Sequence, residues 1–142
     1  PLHPYTVALL SAIPIPDPVA ERLAARLPDP KLLQPYLDAY PLGDAPLRAD
    51  RLGADASRSL HLIQLRADLP RHAHPRAVET TYVLVGSGTV RIEDRTYRAE
   101  PGATFRIEAG LAHSVHPDPG RPLVAVVYFD PPQGDEIERE LR

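Results

Sequence analysis

His72 and His74 place two imidazoles one residue apart. On an extended segment side chains repeat with a period of two, so both rings point to the same side of the chain. Glu79 adds a carboxylate after a short bend, and His113 lies downstream in a strand-like run from Ala112 to Val115. Three imidazoles and one carboxylate are donors that first-row divalent ions accept, and the chain has no cysteine to supply a thiolate instead. The competing reading makes His72 and His74 surface residues beside Pro70 and Pro75. Glu79 argues against it, because it leads straight into the apolar run Thr80 to Val85, where a carboxylate without a cation partner is expensive. A shell of His72, His74, Glu79 and His113 leaves about two positions of an octahedral ion open to substrate, water or dioxygen. Fe(II), Mn(II), Ni(II) and Zn(II) all fit these donors.

The elements that must position the donors read as short strands. Leu47 to Leu52 and Ser57 to Leu65 lead in, and Asp68-Leu69-Pro70 turns the chain ahead of His72. Thr80 to Val85 and Thr89 to Ile92 read as a hairpin over Gly86-Ser87-Gly88, with a further turn at Glu93-Asp94-Arg95-Thr96. Pro101-Gly102 and Glu108-Ala109-Gly110 bracket a strand from Ala103 to Ile107, and Leu123 to Phe129 is a long apolar strand ended by Pro131-Pro132. Short strands with closely spaced turn signals describe an all-β sandwich or barrel. Upstream, Asp17-Pro18 and Asp29-Pro30 each open a helical pattern. The second runs from Lys31 to Tyr40 and sets Leu32, Leu33, Tyr36, Leu37 and Tyr40 on one stripe. That stripe is expected to pack on the outside of the barrel, with a dimer contact as the alternative.

The spacing His-x-His-x4-Glu-x6-Gly, followed by Pro101-Gly102 and Gly110-x2-His113, resembles the two sequence motifs of the cupin superfamily. The resemblance covers roughly residues 55 to 133 and fills all four ligand positions. It implies a cupin-type β-barrel, a double-stranded β-helix or jelly roll, with a short N-terminal helical extension. Two departures stand in the second motif: Glu108-Ala109-Gly110 replaces a proline-rich turn, and His116 occupies a position where Asn is frequent. By alternation from His113, His116 points away from the lumen. Cupins include dioxygenases, isomerases, lyases, storage proteins and sensors, so the fold does not fix the reaction.

Residues 1–18 resemble something else. His3-Pro4-Tyr5-Thr6, Ala8-Leu9-Leu10-Ser11-Ala12 and Pro14-Ile15-Pro16-Asp17-Pro18 are similar to the tail of oligopeptide and dipeptide ABC-transporter ATPases. No Gly-x4-Gly-Lys-Ser/Thr loop accompanies it, so the phosphate cradle of such an ATPase is missing. A gene-boundary remnant is the favoured reading, with docking on a transporter as the alternative. The chain contains no Met, and Pro1 is therefore not expected to be the true start.

Composition narrows the remaining classes. At 142 residues one domain is expected, able to bury about 70% of its unfolded surface. A net charge of −3, with no basic cluster, argues against nucleic acid. Lys31 is the only lysine, which excludes a Schiff-base lysine anywhere else. No apolar run has the length of a membrane span, and Pro1 to Ile15 lacks the pattern of a secretory peptide, so a cytoplasmic protein is the default.

These observations give an organisation of 1–18 tail-like extension, 19–46 helical extension, 47–133 barrel and 134–142 charged tail. One divalent ion is expected on His72, His74, Glu79 and His113. Gln64, Thr81, Phe105 and Val126 are expected to line the substrate pocket, with Tyr128 as an acid/base group because it alone among the wall residues has an acidic proton. The leading function is dioxygenase-like oxidation of a small organic molecule in the lumen. A non-catalytic sensor and an accessory of a peptide transporter are the alternatives. A homodimer is expected from the two-sided apolar character of Thr80 to Val85 and Leu123 to Phe129.

Overall fold

The computed structural model describes residues 33–133. The tail-like extension, the first helical pattern and the charged C-terminal tail lie outside the described residues. Within them a short helix, α1 (Gln34–Ala39), precedes nine strands. These are β1 (Leu47–Ala54), β2 (Ser59–Leu65), β3 (Leu69–His72), β4 (Val78–Val85), β5 (Gly88–Ile92), β6 (Arg95–Ala99), β7 (Thr104–Ile107), β8 (His113–Pro117) and β9 (Leu123–Asp130). They form two antiparallel sheets, one of five strands in the order β1-β2-β9-β4-β7 and one of four in the order β3-β8-β5-β6. This is the all-β jelly-roll architecture the sequence predicts.

One predicted connection is different. β4 and β5 are not a hairpin, because they belong to different sheets. Gly86 takes φ 79°, and a side chain there would overlap the Pro122 carbonyl oxygen. The glycines mark a close passage of two backbones, where the chain crosses from the five-stranded to the four-stranded sheet. The tight hairpin is β5–β6, with Ile92 opposite Arg95 and Glu93 held at φ 53°.

Alternation along the strands divides the apolar residues into two clusters. Odd-numbered residues of β2, of β4 as far as Val83 and of β9, among them Ile63, Val83, Ala125, Val127 and Phe129, point between the sheets and join Leu69, Val90 and Ile107. Even-numbered ones, Leu60, Leu62, Leu84, Val124, Val126 and Tyr128, form a second cluster on the outer face. Leu33, Leu37 and Tyr40 cover that outer face, so the apolar stripe around α1 packs within the chain. Leu60 and Leu62 are fully buried, which stabilises the fold by about 1.5–3 kcal/mol for each side chain. The two-sided burial of β9 therefore has an explanation that needs no second copy of the chain.

Candidate metal centre

Each donor reaches the space between the sheets from a different local structure. His72 ends β3 and lies opposite His113, which begins β8. His74 follows in the loop toward β4, where its carbonyl accepts from the Gly110 N–H at 2.9 Å and so joins the loop to the turn ahead of β8. Glu79 is the first inward residue of β4. The nitrogens of His72, His74 and His113 that could ligate an ion all lie within 4.8 Å of one another. Glu79 Oε2 stands 3.3 Å from His74 Nε2 and 3.0 Å from His113 Nε2.

Backbone carbonyls select the tautomers. His72 Nδ1 is 2.8 Å from the Pro70 carbonyl, and His113 Nδ1 is 2.9 Å from the Leu111 carbonyl. A carbonyl only accepts, so each Nδ1 must carry the hydrogen and each Nε2 of a neutral ring presents a lone pair. His113 Nε2 then faces Glu79 Oε2, and both atoms are buried with no hydrogen-bond partner among the described residues. Two lone pairs at that distance repel unless a cation lies against them. The donor set therefore fits a divalent ion, with the carbonyls orienting the rings from behind.

The acid–base preferences agree with that geometry. Burial alone would push the Glu79 carboxyl up, but its contacts with His113 and His74 outweigh burial and hold it well below the usual carboxylate range. Burial works to lower His113 too, yet Glu79 keeps it above the ordinary value of 6.5. His72 is lowered, chiefly by burial, which favours the neutral ring that a metal needs. Thr81 donates its hydroxyl to Glu79 Oε1 at 2.8 Å and leaves Oε2 directed at the imidazoles.

The cavity beside these donors has a volume of about 60 Å³. His72, His74, Glu79 and Thr81 provide its polar lining; the rest is Ile63, Leu65, Leu69, Val83, Val90, Val115, Leu123, Ala125, Val127 and Phe129. Of the expected wall residues, Thr81 lines this cavity. Phe105 is not among the described residues that line it; it belongs to the inner core cluster, packed edge-on against Tyr97 with ring centroids 6.1 Å apart. Gln64, Val126 and Tyr128 require correction. All three lie on the opposite face of the five-stranded sheet, where Gln64 Nε2 donates to the Tyr40 carbonyl at 2.5 Å and Val126 and Tyr128 join the outer cluster. Every β9 residue from Leu123 to Phe129 is buried, so hydrophobicity alone could not tell its two faces apart. Tyr128 is consequently no acid/base group for the lumen.

Two further histidines occupy distinct settings. His116 points outward, with Nδ1 3.1 Å from Asp68 Oδ2. His61 points inward behind the donors, its Nε2 2.8 Å from Ser59 Oγ and its ring edge-on to Phe129 at 5.3 Å between centroids. Sequence reasoning missed Glu93. It accepts from the Ala112 N–H through Oε1 at 2.9 Å, pairs with Arg71 through Oε2 at 3.3 Å and donates its own N–H to the Ala112 carbonyl at 2.8 Å. Arg71 and Ala112 immediately precede His72 and His113, so one turn residue ties together the two chain segments that carry these histidines. No local sequence pattern announces that role, because it depends on which strand ends the fold brings together.

Residues 60–129 match the family model described as Cupin domain, and the chain belongs to the cupin superfamily. Solved structures of similar fold include BH2720 from Bacillus halodurans, 23% identical over 75% of this chain and 85% of that one, with a TM-score of 0.59. KdgF from Halomonas sp. is 18% identical over 67% of this chain and 88% of that one, with a TM-score of 0.57. A predicted oxalate decarboxylase from Thermotoga maritima is 16% identical over 59% and 79%, with a TM-score of 0.54. At these identities the likeness concerns the fold alone. Among curated proteins, the oligopeptide transport ATP-binding protein AmiF of Streptococcus pneumoniae is 77% identical over 22 residues. The OppF protein of Streptococcus pyogenes is 73% identical over 22 residues. That stretch is 16% of this chain, and the chain spans only 7% of the length of either relative. No helix among the described residues is long and apolar enough to cross a membrane, which says nothing of β-barrels.

Proposed function

We propose that this cupin binds one divalent metal ion through His72, His74, Glu79 and His113 and catalyses a dioxygenase-like oxidation of a small organic molecule in its lumen. The observation that carries the reading is the contrast between the donors and their surroundings. Among the described residues Thr81 is the only polar one besides the donors that lines the cavity, and its hydroxyl is engaged by Glu79. Among the described residues the lumen lining offers no separate side chain to take or give a proton, which disfavours isomerase or lyase chemistry built on a general acid and base. A redox-active ion would supply Lewis-acid polarisation and one-electron chemistry with dioxygen.

The chain's own residues do the rest. The carbonyls of Pro70 and Leu111 orient the imidazoles, Thr81 orients the carboxylate, and the apolar walls exclude bulk water. Three neutral rings and one carboxylate leave a divalent ion with net charge near +1, so an anionic oxygen donor is the natural substrate group. A volume of about 60 Å³ holds roughly four to six water-sized groups, which restricts the part of the substrate inside to a few heavy atoms.

The same lack of proton-transfer groups favours one second reading, a sensor that binds such an anion without converting it. Oxygen uptake separates the two. Protein loaded with Fe(II) should consume oxygen with an enolate, diketone or carboxylate chelator, and protein loaded with Zn(II) should not. Binding without oxygen uptake or product under any of Fe, Mn or Ni would replace the enzyme with the sensor. Association as a homodimer belongs to the same proposal, and a monomeric mass by light scattering at all concentrations would remove it.

A further inference from the structure

The back of the metal-bearing sheet carries a second cleft. Tyr128 of β9, Thr80 of β4 and Arg106 of β7 lie side by side across three adjacent strands, all on the outer face. Tyr82 lies two residues along β4 from Thr80, with its ring edge-on to Tyr128 at 6.0 Å between centroids. Arg58, just ahead of β2, and Asp130, at the end of β9, also line it. The cleft is open on one side and has a volume of about 410 Å³, several times that of the lumen.

Tyr128 makes this cleft more than a surface hollow. The residue is 7% exposed, and its hydroxyl is buried with no hydrogen-bond partner among the described residues. Leaving a buried hydroxyl unpaired costs about 1–3 kcal/mol, so the group is poised for an acceptor that a ligand can bring. Arg58 and Arg106 supply positive charge around it, and Arg106 is steadied by its Nε bond to Glu108 at 2.8 Å. Guanidinium groups match carboxylate and phosphate oxygens in geometry as well as charge. Asp130 opposes an occupant that is only anionic, and favours one that also carries a donor.

We propose that this cleft is a second ligand site, taking a small organic anion whose carboxylate or phosphate is held by Arg58, Arg106 and the Tyr128 hydroxyl while a neighbouring hydroxyl or amine meets Asp130. It shares no residue with the metal centre, and it stands or falls independently of the oxidation reading.

Calorimetric titration of the full chain with lactate and with glycerol phosphate tests it. Saturable binding of at least one is expected in the wild type and, undiminished, in His113→Ala, which removes any anion held by a lumen metal. Tyr128→Phe and Arg106→Gln should each weaken that binding by about tenfold, the loss of one hydrogen bond to a charged group. The tighter of the two probes assigns the site to carboxylate or to phosphate. Without ligand, Tyr128→Phe should melt no lower than the wild type, since the hydroxyl it removes has no partner to lose. Failure of both probes to saturate, binding lost in His113→Ala but kept in Tyr128→Phe, or a substantially lower melting point for ligand-free Tyr128→Phe would each overturn the proposal.

Discussion

Glu79 Oε2 and His113 Nε2 lie 3.0 Å apart, both buried and neither hydrogen-bonded among the described residues. What joins them must be a cation, and a proton and a metal ion compete for the place. His113 is raised above 6.5, so the proton's contribution to stability is complete below that value and disappears as pH rises through the raised one. Glu79 is depressed from 4.5, so its contribution is present above that value and is lost as pH falls through the folded-state value. The thermal shift produced by saturating Ni(II) should therefore be small near about pH 5.5 and grow toward about pH 8, where the metal no longer displaces a proton. A shift of constant size across that range would remove the shared-cation account.

Glu93 should behave as a positioning residue for the metal ligands. Glu93→Ala removes the acceptor of the Ala112 N–H and the partner of Arg71, and metal affinity should fall by about 10- to 100-fold with the barrel still folded. Glu93→Gln keeps an oxygen for Ala112 and should retain most of the affinity. A Co(II) absorption spectrum, sensitive to ligand geometry, should shift in the alanine variant and return toward wild type in the glutamine variant. Identical spectra in all three proteins would show that the tie is irrelevant to the site.

Acid should destabilise the protein through His61. Burial pushes this ring down from 6.5 to about 4, so between these values the unfolded chain binds a proton that the native state refuses. Stability should fall with decreasing pH across that window at up to about 1.4 kcal/mol per pH unit from this residue. His61→Leu should flatten that part of the curve whatever its effect on stability at neutral pH. Urea melts of both proteins at several pH values decide the matter, and an unchanged slope would exonerate His61.

Gly86 and Gly43 offer a matched pair of backbone tests. Both have positive φ, 79° and 59°, but a side chain at Gly86 meets the Pro122 carbonyl whereas one at Gly43 meets no atom of the described residues within 4 Å. Gly43→Ala should cost about 1–2 kcal/mol from backbone conformation alone. Gly86→Ala carries the same backbone cost and a steric clash in addition, so its denaturation midpoint should be clearly the lower of the two. Equal midpoints would mean that the crossing backbones separate without penalty.

That His72 and His74 face one side was legible because period-two spacing on a strand is a local rule, and the family spacing pointed to Glu79 and the distant His113 as their neighbours in space. The walls were not. On β9 both faces are apolar, and the parity that turns Val127 inward and Val126 outward is set by pairing with β2 and β4, partners far away in sequence. Gln64 looked like a pocket residue for a related reason: its real partner is the Tyr40 carbonyl, 24 positions away. Gly86-Ser87-Gly88 announced a change of direction correctly, but a turn signal does not say which sheet receives the next strand. The stripe around α1 read correctly as covering because its spacing is local, as shown by Leu33 and Leu37 on the outer cluster.

The two sheets share no hydrogen-bonded strand pair among the described residues, and the donors are divided between them: Glu79 on β4 of one, His72 and His113 on β3 and β8 of the other. An ion at the centre would be a rivet through the sandwich, fastening one sheet to the short edge strand of the other. β3 has four residues and an irregular register with β8, so it is the part most easily peeled away. Loading the site would then slow amide exchange most in β3 and the loop through His74, far more than in β2 or β9, and the mouth of the barrel would open and close with the metal's residence time.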